Sequence, residues 1–186
     1  MNTRDRTARL VFSAIMMCLV ILATMFVRVP IPFTQGYVHL GDAMIFLSVL
    51  ILGWRYAAVV AGVGSFMADI LNGYAVWAPW TLGIKAVMAI IMGLFIVQAL
   101  KKERSRRFLL VAEIFGMVLA GIWMSAAYYV AEGAIYGNWA TPILGLPWNI
   151  GQFTVGMVVA ISLAAALYKT SAAKYFEYRL DAKVQK

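Results

Sequence analysis

The side chains able to do chemistry are few and far apart: His39, Asp42, Asp69, Asn72, Lys85, Tyr128, Glu132, Asn149 and Gln152. They do not spell a catalytic centre. One histidine and one cysteine, Cys18, cannot build a His/Cys metal cluster or a disulfide framework. No serine–histidine–carboxylate set stands out, and no Gly-rich phosphate loop or Walker pattern occurs. An enzyme is therefore not expected, and neither a metal nor a cofactor is called for. The chemistry left to these groups is recognition, with hydrogen bonds fixing something small.

The surroundings of these groups decide how they must be held. The chain is 63% hydrophobic and 13% charged, with a mean hydropathy of +0.83. A soluble domain of this length, 186 residues, could not hide so much apolar surface. Lipid is the natural solvent for the excess. Sixteen Lys and Arg stand against eight Asp and Glu. In a soluble chain that balance would suggest nucleic acid; here the basic residues sit in short tracts between apolar runs, so no nucleic-acid partner is expected. The first apolar run is followed by Arg28, Pro30 and Pro32 instead of a small-residue cleavage site, and is read as a retained helix.

The apolar runs predict an all-α membrane protein, a single domain of six transmembrane helices in a compact bundle. The helices are expected over residues 8–29, 39–52, 56–73, 81–100, 108–135 and 143–168. Pro30 and Pro32 end the first, and Pro147 is a candidate kink in the last. The second is short for a span, which needs about 20 residues. Orientation follows from the cations. With six crossings, Arg4, Arg6, Arg9, Arg55, Lys101, Lys102, Arg104, Arg106, Arg107, Lys169, Lys174, Arg179, Lys183 and Lys186 share one side, and only Arg28 and Lys85 fall near the other. The positive-inside rule puts both termini in the cytoplasm of a cell-membrane protein. Tyr37, Tyr74, Trp77, Trp80 and Trp139 then lie at the outer interface, where an aromatic belt is their ordinary role.

That topology gives each polar group a depth. His39 and Asp42, three apart, begin the second helix from outside; Asp69 and Asn72 end the third; Lys85 is about one turn into the fourth. Gly121, Ser125, Tyr128 and Glu132 share a face of the fifth, and Gly145, Asn149, Gln152 and Gly156 a face of the sixth. The cytoplasmic half offers only Glu113. Ionisable groups cost about 2.5–3.5 kcal/mol each at mid-membrane, so five helices placing polar groups at one depth predict a cavity open to the outside, not a continuous pore. Ordinary alternatives stand beside this: Asp42 capping its helix, an Asp69–Lys85 ion pair, Glu132 in water, His39 at the headgroups, and the two amides as glue between helices. Ala57, Ala61 and Ser65 form a small-residue stripe, and Ser13, Ala14 and Cys18 a smaller patch on the first helix, suited to packing or to docking.

Two segments, GYVHLGDAMIFLSVLILG (36–53) and GSFMADILNGYAVWAPWTLGIK (64–85), resemble the substrate-binding S components of energy-coupling factor (ECF) vitamin transporters. The nearest branch is the one for riboflavin-like, hydroxymethylpyrimidine or pyridoxine uptake. The resemblance implies a binding subunit that captures a vitamin or precursor near the outer face, beneath a lid at residues 31–38. It implies docking on a transmembrane coupling subunit and two cytoplasmic ATPase subunits. Ala14 and Cys18 would stand in the family's small-residue docking pattern, with cysteine in place of the second alanine. Asp69, Asn72, Lys85, Glu132, Asn149 and Gln152 would be polar contacts, with His39 and Asp42 beside them. Trp77, Trp80, Trp123 and Tyr128 would be stacking rings. A self-sufficient secondary transporter, coupled to protons through Asp69, Glu132 or His39, is the competing expectation, although no inverted repeat is evident.

Overall fold

The protein is described by a computed structural model over residues 3–31, 37–101 and 106–178. Six α-helices form one antiparallel bundle: α1 (Thr3–Phe26), α2 (Gly41–Leu52), α3 (Trp54–Leu71), α4 (Ala78–Leu100), α5 (Arg106–Tyr136) and α6 (Leu146–Leu167). Within the described residues, α1, α4, α5 and the stretch Thr141–Leu167 are long and apolar enough to cross a membrane. The middle of the expected lid (32–36) lies outside the described residues. So do Lys102 and Arg104 of the basic loop, and Arg179, Lys183 and Lys186 of the tail.

The helix ends depart from the sequence expectation for local reasons. The first helix stops at Phe26, because Arg28–Pro30 (β1) pairs antiparallel with Tyr37–His39 (β2). His39 therefore sits on a strand ahead of α2, not on the helix expected to begin there. The hairpin is short, with Arg28 opposite His39 and Pro30 opposite Tyr37. Pro79 and Pro147 both lie in the first turn of their helices, where the missing amide costs nothing. So α4 starts three residues early, and Pro147 opens α6 instead of kinking it. A 3-10 turn, Thr141–Gly145, leads into α6.

The shortest helix is the most central. With 12 residues, α2 is about 18 Å long, against about 30 Å of hydrocarbon, and ten of its residues are buried. Both of its ends are completed by other parts of the chain. The hairpin lies at its N-terminus. At its C-terminus the chain after α6 folds back: Glu177 N–H donates to Ile51 O (3.0 Å) and Tyr178 N–H to Leu50 O (3.3 Å). These bonds satisfy carbonyls that a helix end leaves free. Phe176 and Tyr178 are buried beneath the bundle, and Arg9 bridges Leu52 O and the Glu177 carboxylate. This tail is thus part of the bundle through Tyr178.

Glycines set the close approaches. A Cβ on Gly156 would lie 3.0 Å from Asp42 Cβ, so α6 can press on α2 only without a side chain there. Gly121 of α5 faces the Phe153 ring of α6 in the same way. The stripe Ala57, Ala61 and Ser65 on α3 is fully buried. Methionines 88, 92, 117 and 124 fill the irregular gaps between α4 and α5.

Candidate functional site

Chain alternation brings the C-terminal ends of α3 and α5 and the N-terminal ends of α4 and α6 to the hairpin end of the bundle. There they enclose a cavity of about 430 Å³ of empty space, counting its open mouth. Its walls are Ile31, Tyr37, His39, Asp69, Tyr74, Trp77, Thr81, Tyr128, Glu132, Asn149 and Gln152.

Helical spacing explains which candidates meet. On α5, Tyr128 and Glu132 are four apart and point inward together; on α6, Asn149 and Gln152 are three apart. Thr81 of α4 is four residues after Trp77, which stands just ahead of that helix. Trp80 lies one position short of Thr81, rotated about 100° away, and is 41% exposed on the outer surface. Trp123 is likewise one position before the buried Met124, and its indole N–H donates to Ile84 O (3.1 Å). Neither of these two tryptophans lines the cavity. Asn72 does not either; its Oδ1 accepts from Arg28 Nη1 (2.9 Å).

Asp42 and Lys85 lie deeper, beyond the cavity wall. Both are fully buried, and Lys85 Nζ donates to Asp42 Oδ1 at 2.5 Å. Asp42 makes no helix-capping bond, and Lys85 pairs with it instead of with Asp69. The other carboxylate oxygen of Asp42 accepts from Gln152 Nε2 (2.7 Å), while Gln152 Oε1 accepts from the His39 backbone N–H (3.0 Å). One amide therefore ties the hairpin to the buried ion pair. A neutral glutamine suits this because it donates and accepts at once.

The aromatic walls interlock. The Tyr37 and Tyr74 rings are 4.7 Å apart, and Trp77 packs on Tyr128 (6.2 Å) and on Tyr136 (6.0 Å). Tyr37 Oη donates to Asp69 Oδ1 (2.7 Å), and Tyr128 Oη to Thr81 Oγ1 (3.2 Å). Burial, then the Asp69 carboxylate, push the Tyr37 phenol well above its ordinary range, so it stays a donor. Burial, and then the Lys85 charge, pull the His39 imidazole down to about 4, with Asp42 opposing. His39 is thus neutral at pH 7, and its Nδ1 accepts from the Gly41 N–H (3.0 Å).

This arrangement can hold a small ring-bearing molecule. A family model for the ECF-type riboflavin transporter, S component, matches residues 4–169. The chain belongs to that family. An S component is a transporter subunit that binds substrate, not a class of enzyme, and this one is a multi-pass membrane protein. The thiamine precursor transporter HmpT of Lactococcus lactis subsp. cremoris is 29% identical over 142 residues, 76% of each chain. An uncharacterised protein of Pyrococcus woesei is 37% identical over 118 residues, 63% of this chain and 74% of that one. A solved S component of a bacterial ECF transporter superposes with a TM-score of 0.67 at 20% identity, covering 88% of this chain and 97% of that one. That likeness is one of fold.

Of the residues expected at the site of this S component, His39, Asp69, Trp77, Tyr128, Glu132, Asn149 and Gln152 line the cavity. Ile31 and Tyr37, expected only as parts of the lid segment, also line it, as do Tyr74 and Thr81, which were not expected as contacts. Tyr37 and Tyr74 were hidden by their position at an interface, where tyrosines are common for another reason. Thr81 was legible: it is four residues after Trp77, at the N-terminus of α4, and one turn before Lys85 on the same face of that helix. Ala14 and Cys18 are exposed on the outer face of α1, beside Leu10, Ile15 and Leu22.

Proposed function

We propose that this S component captures a vitamin or vitamin precursor, hydroxymethylpyrimidine or pyridoxine favoured, from outside the cell. It delivers the ligand for ATP-driven uptake through a transmembrane coupling subunit and two cytoplasmic ATPase subunits. The carrying observation is the cavity: aromatic walls with buried polar groups, at one end of a bundle whose other half holds a single buried Asp, Glu or Lys among the described residues, Glu113. The similarity to a thiamine precursor transporter supports a vitamin precursor as the substrate. The basic residues at the opposite end support a cytoplasmic placement of both termini in the cell membrane. Under this reading the exposed face of α1 around Ala14 and Cys18 docks on the coupling subunit, and β1 and β2 cover the ligand.

The test is uptake into sealed vesicles. The chain alone is expected to bind ligand without accumulating it, and accumulation should require the coupling subunit, the ATPases and ATP. Accumulation by the chain alone under a proton gradient would instead make it a secondary transporter working through Asp69 and Glu132.

A further inference from the structure

A second space opens on the flank of the bundle, between the hairpin and α6. It holds about 640 Å³ of empty volume, counting its open side. Val29 and Val38 are register partners, so their side chains project to one face of the hairpin. Trp148, Gly151 and Val155 follow one another at spacings of three and four and share one face of α6. All five are walls of this groove, which runs about 10 Å along the helix from Trp148 to Val155. A Cβ placed on Gly151 would meet nothing within 4 Å, so the groove is open at that point.

The floor of the groove is polar but satisfied. His39 and Gln152 line this groove and the ligand cavity alike, and form the partition between them. The His39 N–H donates to Gln152 Oε1, and Gln152 Nε2 donates to Asp42. No charged side chain is among the lining residues. The groove therefore offers an occupant mainly apolar contact. Water fits it poorly, since a bound water needs roughly two to four polar partners. An empty groove is also unfavourable, because its walls forfeit dispersion contacts. The stretch Thr141–Leu167 is long and apolar enough to span the membrane, and its exposed Ile150 and Val158 extend the apolar surface past the groove. The groove is thus continuous with the surface that this membrane protein turns to the bilayer.

We propose that the groove is a binding site for one acyl chain of a bilayer phospholipid, seated between the hairpin and α6, where it completes the bundle wall behind His39 and Gln152. The site is separate from the ligand cavity and does not depend on which solute that cavity takes.

The experiment places the full chain in phosphatidylcholine nanodiscs in which a small share of the lipid carries a diazirine in its acyl chain. After illumination, peptide mass spectrometry maps the labelled residues. Val29, Trp148 and Val155 are expected to label about five-fold more than Leu82 of α4 and Val130 of α5, which are comparably exposed at the same end of the bundle. Gly151→Leu puts a side chain into the open space at a helical position where leucine is the better helix former. It should keep the thermal transition and bring groove labelling down to the level of Leu82 and Val130. Equal labelling of groove and comparison residues in the wild type would mean ordinary boundary lipid and would overturn the proposal. So would groove labelling that persists in folded Gly151→Leu. Native mass spectrometry of the same sample counts copies, and a dimer that Gly151→Leu breaks would give the groove to a second copy and overturn the proposal too. Should the variant fail to fold, the wild-type labelling pattern decides the matter alone.

Discussion

Replacing Lys85 with methionine removes the cation that, among the described residues, pairs with Asp42, and keeps most of the side-chain volume. At 2.5 Å the pair attracts by roughly 6–7 kcal/mol at an effective dielectric of about 20, before desolvation is counted. Desolvation offsets most of that in the intact pair, so the pair itself contributes little net stability. The single substitution is different. It strands a carboxylate that is 0% exposed, with Gln152 Nε2 as its remaining donor. The expected cost is about 3–5 kcal/mol, a large share of a typical total of about 5–15 kcal/mol. The double variant Asp42→Asn/Lys85→Met strands no charge and keeps the amide contact with Gln152. It should recover at least about 1.5 kcal/mol relative to Lys85→Met. The assay is reversible unfolding in micelles, followed by circular dichroism, for the wild type, both singles and the double. A Lys85→Met cost below about 1 kcal/mol, or a double variant as unstable as the two singles summed, would refute the reasoning.

Three further outcomes follow from the same contacts. Gln152→Ala cuts the link between the His39 amide and Asp42, so bound ligand should dissociate about ten-fold faster in stopped-flow fluorescence, with a smaller change in association. The folded His39 has its pKa at about 4 against about 6.5 unfolded, so between these values the unfolded chain binds the extra proton. Stability should therefore fall as pH drops from about 6.5 toward 4, and the melting temperature of His39→Gln should lose less over that window than the wild type. Gly121→Val drives a side chain into the Phe153 ring and should cost about 1–3 kcal/mol, whereas Gly83→Ala, which meets nothing within 4 Å, should be neutral or slightly stabilising.

Much of the bundle was legible because lipid imposes long apolar runs, and long runs are what a sequence displays best. The hairpin was not, since three-residue strands carry no usable period, and Pro30 and Pro32 read equally well as plain loop. That error carried His39 onto a helix it does not join. Depth was legible from charge, and it gathered Asp69, Tyr128, Glu132, Asn149 and Gln152 at one level. Direction was less so. Trp80 and Trp123 share that level but are turned about 100° from the inward-facing positions beside them. The partner of Lys85 depended on packing alone. Asp42 and Asp69 lie at similar depth, and only the central seat of the short α2, made possible by Gly156, puts Asp42 opposite the lysine. The tail under α2 was unreadable for a related reason: its bonds to Leu50 and Ile51 exist because α2 ends early.

The measurement that bears most directly on the account is a binding titration followed by a single tryptophan. Trp77 is kept and the other five, Trp54, Trp80, Trp123, Trp139 and Trp148, are changed to phenylalanine. Saturable, one-to-one quenching of Trp77 by a vitamin or precursor, weakened by Asn149→Ala, is the predicted result. Tight binding that leaves Trp77 emission unchanged, or binding that is indifferent to every cavity substitution, would contradict the placement of the substrate between the hairpin and the helix ends.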